Sequence, residues 1–342
     1  MELKDFDYNL PKSLIAQTPL KKRGQSRLLI MDKDNGGFIH EQFDFLLKIL
    51  RSGDTLVLNN SMVIPARLFC VDFVGSRKFE ILVTKQLTRY KWKAIGKPAR
   101  RIEPGMKLTI VDSTATLSIV SKERNGEFIV KFDDEEFINK YGNIPLPPYV
   151  EQDLTDQSKY QTVYASLPGS IAAPTAGLHF TKSLLSKLEN MGVEILFVTL
   201  HIGIGTFLPV RVENVLNHKM HEEYFVLDKI TAEKINYSKK RGSRIFAVGT
   251  TVTRLLEYAM IVSNKQGSKE LNPITGSTDL FIVPGFQFQV IDGLITNFHL
   301  PKSTLLMLVS AFISREYLFD AYKEAIKLKY RFYSFGDAML IK

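Results

Sequence analysis

Residues 244–257 read RIFAVGTTVTRLLE, and this stretch decides the fold class. Four apolar residues at 245–248 form a run short enough for a buried strand, and Gly249 then marks a turn. The residues after it place leucines and valines at the spacing of an amphipathic helix. The stretch therefore predicts a strand, a tight turn and a helix, which is the repeating unit of an α/β protein.

Three other segments have the same pattern. They read DTLVLNN (54–60), VEILFVTLHIG (193–203) and GLITNFHLPKST (293–304), and each is predicted to be a buried strand followed by a polar loop and a helix. In open α/β sheets, ligands bind beyond the carboxyl ends of the strands. The loops that contain Asn59, His201, Thr250 and His299 are therefore expected to share one location.

The middle of the chain has a different pattern. Short alternating runs recur between Gly, Pro, Asn and Asp residues: KFEILVT (78–84), YKWKAIG (90–96), KLTIVD (107–112), ATLSIVS (115–121) and EFIVKF (127–132). Such runs are typical of a small antiparallel barrel. We predict an α/β protein with a large mixed α/β domain, discontinuous in sequence (1–68 plus 151–342), and an inserted antiparallel β-barrel domain (69–150).

Composition limits the class of protein. The chain has 342 residues, 45% of them hydrophobic, and its first residues are acidic where a signal peptide would be apolar. The longest apolar run, 305–313, is too short to span a bilayer, so we expect no membrane association and a cytoplasmic location. The single cysteine, Cys70, excludes an internal disulfide, a thiolate zinc site and a cysteine-bound iron–sulfur cluster.

The charge distribution points to an anionic partner. The formal net charge is +9, and residues 71–131 contain 13 Lys or Arg against 6 Asp or Glu, a local excess of +7. A basic patch of this kind is typical of nucleic-acid binding, although a solvated basic face has the same sequence. The segment GIGTF (203–207) is followed by Leu208 where a dinucleotide fingerprint needs a small residue, and no G-K-[ST] loop occurs.

The most unusual loop is YQTVYASLPGSIAAPTAGLHFT (160–181), which has neither helix nor strand periodicity. Gly169, Pro174 and Gly177 mark turns, and Thr181 is placed to cap the helix KSLLSKLEN. His179 therefore lies on a short loop before a helix, as His201 and His299 lie on loops after strands. Histidine at such positions can act as a general base near neutral pH, or can brace a tight turn.

Several other polar residues are candidates. His218 and His221 in HKMHEE have a metal-ligand spacing if the segment is helical, but no third ligand is evident and we expect no metal. Arg254 and Lys302 fall at predicted helix starts, where a cation is disfavoured unless an anion binds. The amides that open the helices after Thr250-Thr251 and Ser303-Thr304 could hold a phosphate or carboxylate, or these residues could only cap their helices.

Eight blocks together carry a family resemblance: 8–29 (YNLPKSLIAQTPLKKRGQSRLL), 53–68, 160–181, 198–210, 218–223, 248–257, 294–312 and 321–341. In this order they resemble the S-adenosylmethionine:tRNA ribosyltransferase-isomerases of queuosine synthesis. The resemblance implies transfer and isomerisation of the ribosyl group of S-adenosylmethionine onto 7-aminomethyl-7-deazaguanine (preQ1) at the tRNA wobble position. Epoxyqueuosine, adenine and methionine would be the products.

The resemblance also implies partners and site residues. His221 and Glu223 match the family pattern H-x-M-H-x-E and are expected to orient the donor, or to form a solvated charged turn. The partners are expected to be S-adenosylmethionine, as co-substrate with no further cofactor, and tRNA with a GUN anticodon that carries preQ1; the chain is expected to be a monomer. The alternatives are an S-adenosylmethionine-dependent tRNA methyltransferase and a non-catalytic RNA-binding protein.

The candidate residues fall into three groups. The catalytic candidates are His179, His201 and His299. The candidates for binding donor or substrate are Arg67, Thr175, Thr206, His221, Glu223, Thr250, Thr251, Arg254, Asn297, Lys302 and Ser303. The candidates for binding tRNA are Arg27, Lys91, Lys93, Arg100, Arg101 and Arg331.

Overall fold

The structure is a computed structural model and describes residues 1–73, 75, 77–123, 126–151, 154, 156–207 and 209–342. Over this part of the chain the strands are β1 (Arg27–Met31), β2 (Phe38–Gln42), β3 (Thr55–Asn59), β4 (Ser61–Val63), β5 (Arg67–Asp72), β6 (Lys78–Gln86), β7 (Lys91–Lys97), β8 (Lys107–Ile110), β9 (Thr116–Lys122), β10 (Phe128–Phe132), β11 (Leu167–Ser170), β12 (Glu194–Leu200), β13 (Glu223–Leu227), β14 (Ile245–Val248), β15 (Ile274–Thr278), β16 (Gly293–Asn297) and β17 (Ala338–Ile341).

The helices are mostly short. The α-helices of the described residues are α1 (Leu46–Ile49), α2 (Phe137–Tyr141), α3 (Lys182–Asn190), α4 (Lys229–Lys240), α5 (Thr250–Lys265), α6 (Thr304–Phe312) and α7 (Arg315–Lys327). Single turns of 3₁₀-helix occur at Leu3–Phe6, Lys12–Leu14, Phe43–Phe45, Ala99–Arg101, Gln157–Tyr160, Thr175–His179, Ile204–Phe207 and Val215–Asn217.

The chain folds into two compact units. The larger comprises Met1–Met62, Pro148–Pro168 and Ala173–Lys342, and the smaller comprises Val63–Pro147 with Gly169–Ala172. The larger is a mixed α/β unit and the smaller contains the barrel, so the predicted fold class is confirmed. The domain boundaries at 68/69 and 150/151 stay a prediction.

The larger unit is built on one mixed sheet in the order β15-β13-β12-β3-β14-β16-β17-β1-β2. Strands β12, β3, β14 and β16 run parallel, and β17 is antiparallel to β16 and parallel to β1. All residues of β3, β14 and β16 are buried, as the continuous apolar runs predict for central strands covered on both faces.

In two of the four predicted strand–loop–helix units, the predicted helix is wrong. β14 and β16 lead to helices α5 and α6, but β3 leads directly into β4, and β12 leads into a 3₁₀ turn and then antiparallel β13. The side chain of Asn59 explains the exit from the sheet after β3. Its Oδ1 accepts hydrogen bonds from the amides of Ser61 and Leu200, both at 3.1 Å, so this amide group takes the place of continued strand pairing.

The predicted helix after the 160–181 loop is confirmed as α3. Thr181 accepts a hydrogen bond from the amide of Leu184 at 3.1 Å, so it is the N-cap that the sequence predicts. The buried leucines of α3 at 184, 185 and 188 join the main core cluster with Phe180. This packing fixes the chain that enters the helix, and therefore the position of His179.

The smaller unit contains a closed antiparallel barrel with strand order β10-β7-β6-β5-β8-β9. Its strands alternate buried and outward residues; in β10, Phe128, Val130 and Phe132 are buried and Lys131 is exposed. The five runs identified in the sequence correspond to β6–β10. Strand β5 was not predicted to belong to the barrel. The segment VIPARL (63–68) was assigned to the α/β domain, whereas Arg67 begins this barrel strand.

Among the described residues, no helix combines the length and apolarity needed to cross a bilayer.

Candidate active site

The candidate loops of the larger unit meet at one edge of its sheet. The parallel strands β12, β3, β14 and β16 end there, at Leu200, Asn59, Val248 and Asn297. Because β17 is antiparallel to β16, its first residue, Ala338, pairs with Asn297. β1 is parallel to β17, so the start of β1 lies at this edge too. The sequence-distant motifs therefore share the location that an α/β sheet gives to ligands.

His179 is buried between two polar side chains. Its Nδ1 lies 2.8 Å from the Ser26 hydroxyl, and its Nε2 lies 3.1 Å from Nδ2 of Asn297. Asn297 Nδ2 also donates to the Tyr333 carbonyl at 3.1 Å, which fixes this atom as the amide nitrogen. His179 Nε2 is therefore the acceptor, and Nδ1 carries the proton and donates it to Ser26.

Burial lowers the pKa of His179 from 6.5 to about 3, and the nearby positive charges of Arg23 and Arg331 contribute to this shift. The imidazole is thus neutral at pH 7, and both nitrogens have partners. Oδ1 of Asn297 is buried and has no hydrogen-bond partner among the described residues. The arrangement can orient the Ser26 hydroxyl. It also leaves Oδ1 of Asn297 available to accept a hydrogen bond from a bound molecule.

A second cluster joins three of the predicted donor-binding residues. Glu223 Oε1 accepts from the Thr206 hydroxyl at 3.0 Å and from the Gly203 amide at 3.2 Å, while Oε2 forms an ion pair with Arg254. Both members of the pair are buried, and Arg254 Nε also donates to the Leu280 carbonyl at 2.9 Å. Nη2 of Arg254 is buried without a partner in the described part of the chain.

The anion expected beside Arg254 is thus a carboxylate of the protein itself. Arg254 lies in the second turn of α5, and Glu223 begins β13. The pair, together with the hydrogen bonds of Glu223 to the loop at 203–206, fixes that loop against the start of α5. A buried ion pair of this kind tolerates no loss of one partner, because the other charge would remain unpaired.

His201 lies on the same loop, directly after β12. Its amide donates to the Tyr224 carbonyl at 2.9 Å, and its ring stacks on the Tyr224 ring with centroids 5.9 Å apart. Its Nδ1 is buried and lacks a partner among the described residues, and burial lowers the pKa of the ring. The exposed His221 packs against Gly205, where a Cβ atom would come within 2.6 Å of the His221 side chain.

The start of α5 connects the two clusters. Gly249 holds the N-cap position with φ 92°, and no side chain caps the helix. Thr250 and Thr251 follow it and are buried. A Cβ atom on Gly249 would lie 3.5 Å from Ala176, in the 3₁₀ turn Thr175–His179, so Thr175 and His179 are on an element that touches the α5 start.

His299 is surrounded by core groups. Its Nε2 lies 2.8 Å from the Thr296 hydroxyl, its amide donates to Tyr322 at 2.9 Å, and its carbonyl accepts from Tyr8. Burial lowers its pKa from 6.5 to about 3. These hydrogen bonds make His299 a brace for the turn after β16, and none of them links it to the His179 or Glu223 cluster.

Lys302 and Ser303 have local partners. Lys302, with φ 58°, forms an ion pair with Asp7 at 2.7 Å on the surface. The Ser303 hydroxyl donates to the Leu300 carbonyl at 2.7 Å and accepts from the Leu306 amide at 3.2 Å, so it caps α6. The observed hydrogen bonds of Ser303 are therefore those of a helix N-cap, one of the two roles considered for it from the sequence.

Two of the predicted tRNA-binding arginines lie near the His179 side of this edge. Arg27 donates to Asp337, to the Leu328 carbonyl and to the Lys329 carbonyl, and stacks over Tyr330 at 3.9 Å. The Arg331 amide donates to Asp337 at 2.9 Å and its guanidinium donates to the Thr18 carbonyl. Internal partners thus occupy much of the donor capacity of Arg27, whereas Nη1 of Arg331 is buried and has no hydrogen-bond partner among the described residues.

The remaining candidates are on the smaller unit. Lys91, Arg100 and Arg101 are exposed, and Lys93 lies 3.4 Å from Glu127. Arg67 is half-buried, lies 3.2 Å from Glu80 and donates to the Leu146 carbonyl at 3.0 Å. These contacts of Arg67 are with residues of the smaller unit, and its proposed role in donor binding stays a prediction.

The segment HKMHEE is not helical. Residues 218–222 are irregular and Glu223 begins β13, so His218 and His221 do not share a helix face. His218 instead packs edge-on against Phe281 at 5.5 Å. Within the described residues no group of three or more His, Cys, Asp or Glu side chains is arranged to hold a metal ion.

Sequence analysis missed a cleft of about 240 Å³ beside His179. Among the described residues, the cations that line it are Lys21, Lys22, Arg23 and Lys159, and Ser26 lies beside them. The run KKRG at 21–24 was the available signal, since three consecutive cations before a glycine turn have no apolar pattern to explain them.

Comparison with known proteins gives consistent results over the whole chain. A family profile described as "Queuosine biosynthesis protein" matches residues 3–341. Proteins named S-adenosylmethionine:tRNA ribosyltransferase-isomerase from Carboxydothermus hydrogenoformans and Staphylococcus haemolyticus are 53% and 49% identical, each covering 100% of both chains. The crystal structure of S-adenosylmethionine tRNA ribosyltransferase from Thermotoga maritima is 36% identical with a TM-score of 0.57, covering 99% of this chain and 100% of that one. This chain belongs to the S-adenosylmethionine:tRNA ribosyltransferase-isomerase family of queuosine biosynthesis.

Proposed function

We propose that this protein transfers and isomerises the ribosyl group of S-adenosylmethionine onto preQ1 at the wobble position of tRNA, with release of adenine and methionine and formation of epoxyqueuosine. The main support is the 53% identity, over the full length of both chains, with a relative of that name. The convergence of the candidate loops at one sheet edge is the geometry that such a two-substrate reaction needs.

The donor is proposed to bind at the start of α5. The uncapped amides after Gly249 are suited to a carboxylate, and the donor carries one on its methionyl group. Arg254 adds a guanidinium nitrogen that has no partner among the described residues. Glu223, which Thr206 hydrogen-bonds, positions this arginine. Thr250 and Thr251 begin α5, and His221 packs against Gly205 on the loop that Glu223 holds.

His201 is the best candidate for the base among the three loop histidines. Its Nδ1 has no competing partner in the described part of the chain, and its loop is held by Glu223 in the cluster proposed to bind the donor. Nδ1 of His299 is also unpaired among the described residues, but no hydrogen bond links His299 to that cluster. The sulfonium acidifies the ribose C5′ protons, so a neutral imidazole can take one of them and leave an ylide, from which adenine departs. The acceptor amine then captures the rearranging sugar as methionine leaves. His179, with Asn297, is proposed to position Ser26.

The finer assignments belong to the same proposal. The acceptor is proposed to be tRNA with a GUN anticodon, the donor to act without a further cofactor, and the protein to be a cytoplasmic monomer. The barrel candidates Lys91, Lys93, Arg100 and Arg101 are proposed to contact the tRNA, because cations on the surface of a basic unit attract a polyanion.

Product analysis tests the reaction. The protein is incubated with S-adenosylmethionine and preQ1-containing tRNA, and small products are separated by liquid chromatography. Free adenine and methionine in equal amounts are expected. S-adenosylhomocysteine would instead identify a methyltransferase, and tRNA binding without any product would favour an RNA-binding protein.

A substitution tests the base. His201→Gln is expected to lower the rate of adenine release by about 10² to 10⁴-fold with little change in the Kd of the donor, as for loss of a general base. His40→Gln, a change to an exposed histidine outside both clusters and outside the eight blocks of family resemblance, is the matched control. Equal rates for the two variants would exclude His201 as the base.

A further inference from the structure

The cleft beside His179 has a concentration of positive charge, and an acidic group that interacts with its cations, Asp156, offsets only part of that charge. Lys21 and Lys22 are exposed, Arg23 and Lys159 are half-buried, and no Asp or Glu is among the described residues that line the cleft. Like charges gathered around one concavity repel each other, and an anion in the cleft removes that penalty.

Two guanidinium groups near His179 also have donors without acceptors. Nη1 of Arg23, which lines the cleft, and Nη1 of Arg331 are both buried and have no hydrogen-bond partner among the described residues. The Nη2 atom of Arg23 has only a long hydrogen bond, 3.5 Å to the Ser158 carbonyl. Buried polar groups are normally paired, so unpaired guanidinium nitrogens at this place indicate a missing acceptor.

The charges of the residues that line the cleft determine which kind of anion can bind there. The methionyl end of the donor carries a carboxylate, but also an ammonium and a sulfonium, and these cations need acidic or aromatic partners. The four cations of the cleft would repel both groups. A phosphodiester has only negative charge, and lysine and arginine are its usual partners in nucleic-acid complexes.

We propose that the cleft lined by Lys21, Lys22, Arg23 and Lys159 binds a backbone phosphate of the tRNA strand next to the nucleotide that reacts. The inference rests on the proposed function. The cleft shares His179 and Ser26 with the sheet edge where the donor is proposed to bind, so a phosphate held there would keep the strand within reach of that edge. Arg23 would fix the phosphate on the inner side, and the lysines would neutralise it from the outer side.

The test measures the salt dependence of tRNA binding. The Kd of an unmodified tRNA transcript is determined by filter binding over a range of KCl concentrations for the wild type, for the double variant Lys21→Gln/Lys22→Gln and for Lys265→Gln/Lys269→Gln. The last pair removes the same charge from exposed lysines near the end of α5. The slope of log K against log [KCl] is expected to become shallower by about 0.7 to 0.9 in the cleft variant, the change for one phosphate that is no longer neutralised. The control is expected to keep the slope of the wild type.

Calorimetric titration with S-adenosylmethionine separates the two possible anions. Binding of the donor is expected to be unchanged in the cleft variant. Weaker donor binding with an unchanged tRNA slope would overturn the proposal and assign the cleft to the donor carboxylate, and equal slopes for cleft variant and control would overturn it outright. If the wild type binds tRNA but releases no adenine, the proposed reaction fails while the slopes still decide the cleft.

Discussion

Individual buried residues of this protein have properties that their sequence position does not reveal. His179 and His299 are both neutral in the fold with pKa values of about 3, and burial is the main cause for each. The sequence identified both as loop histidines, but it offered no means of separating a histidine that braces a turn from one that can accept a proton. For His299 the structure shows a bracing role through its backbone amide, which donates to Tyr322, and through ring Nε2, which lies beside Thr296.

The depressed pKa of His299 predicts a pH dependence of stability. Between pH 6.5 and about 3 the unfolded chain binds a proton at this residue that the folded chain does not, so the free energy of unfolding decreases as the pH falls through this window. The contribution is about 1.4 kcal/mol per pH unit. Urea unfolding measured from pH 7.5 to 5.0 gives the free energy of unfolding against pH. Below pH 6.5, the slope of this plot is expected to be smaller for His299→Gln by about 1.4 kcal/mol per pH unit. Parallel curves for variant and wild type would contradict the assignment.

The Glu223–Arg254 pair predicts a large loss of stability at one residue. Arg254→Met leaves the Glu223 carboxylate buried without its counter-ion and is expected to lower the free energy of unfolding by about 3–5 kcal/mol. Lys323→Met breaks the exposed pair with Asp320 and is the matched control, with an expected change below about 0.5 kcal/mol. Urea unfolding at pH 7 measures both. A similar small effect for the two variants would show that the pair contributes little.

At the scale of elements, the sequence predicted most strands and the helix that follows the 160–181 loop. Local signals were sufficient there: alternation in the barrel strands, continuous apolar runs in β3, β12, β14 and β16, and Thr181 as a cap. The errors occurred where a single side chain redirects the backbone, as Asn59 does after β3, or where tertiary pairing decides, as for β5. Neither effect has a periodic signature in the sequence.

The same limit applied to the candidate site. Thr206, Glu223 and Arg254 were all selected from the sequence, yet their hydrogen bonds to one another depend on the antiparallel pairing of β13 with β12, which the strand–loop–helix interpretation excluded. Lys21, Lys22 and Arg23 were missed because their cleft forms only when the starts of β1 and β17 lie at the same sheet edge.

The cap of α3 predicts a moderate effect of its removal. Thr181→Ala leaves the Leu184 amide without its acceptor and is expected to lower the free energy of unfolding by about 1 kcal/mol. Thr181→Ser keeps the hydroxyl and is expected to remain within about 0.5 kcal/mol of the wild type. Thermal or urea unfolding distinguishes the two. Equal losses for both substitutions would assign the effect to the methyl group and its packing.

At the scale of the whole molecule, charge is the dominant property. A net charge of +9 predicts association with tRNA that weakens as salt increases. Arg100→Ala/Arg101→Ala removes two exposed cations of the barrel unit and is expected to make the slope of log K against log salt shallower by about 1 for each phosphate that is no longer neutralised. Filter binding with the Lys265→Gln/Lys269→Gln protein as control measures this. An unchanged slope would place the tRNA away from these arginines.

The position of β17 has a consequence for biogenesis. Residues Ala338–Ile341 form an inner strand, paired on one side with β16 and on the other with β1. Until residues 338–341 have been synthesised, β1 and β16 have no common neighbour and the sheet remains split. The sheet of the larger unit therefore cannot be continuous before residue 341 has been made, and the unpaired edges of β1 and β16 are open to wrong association until then.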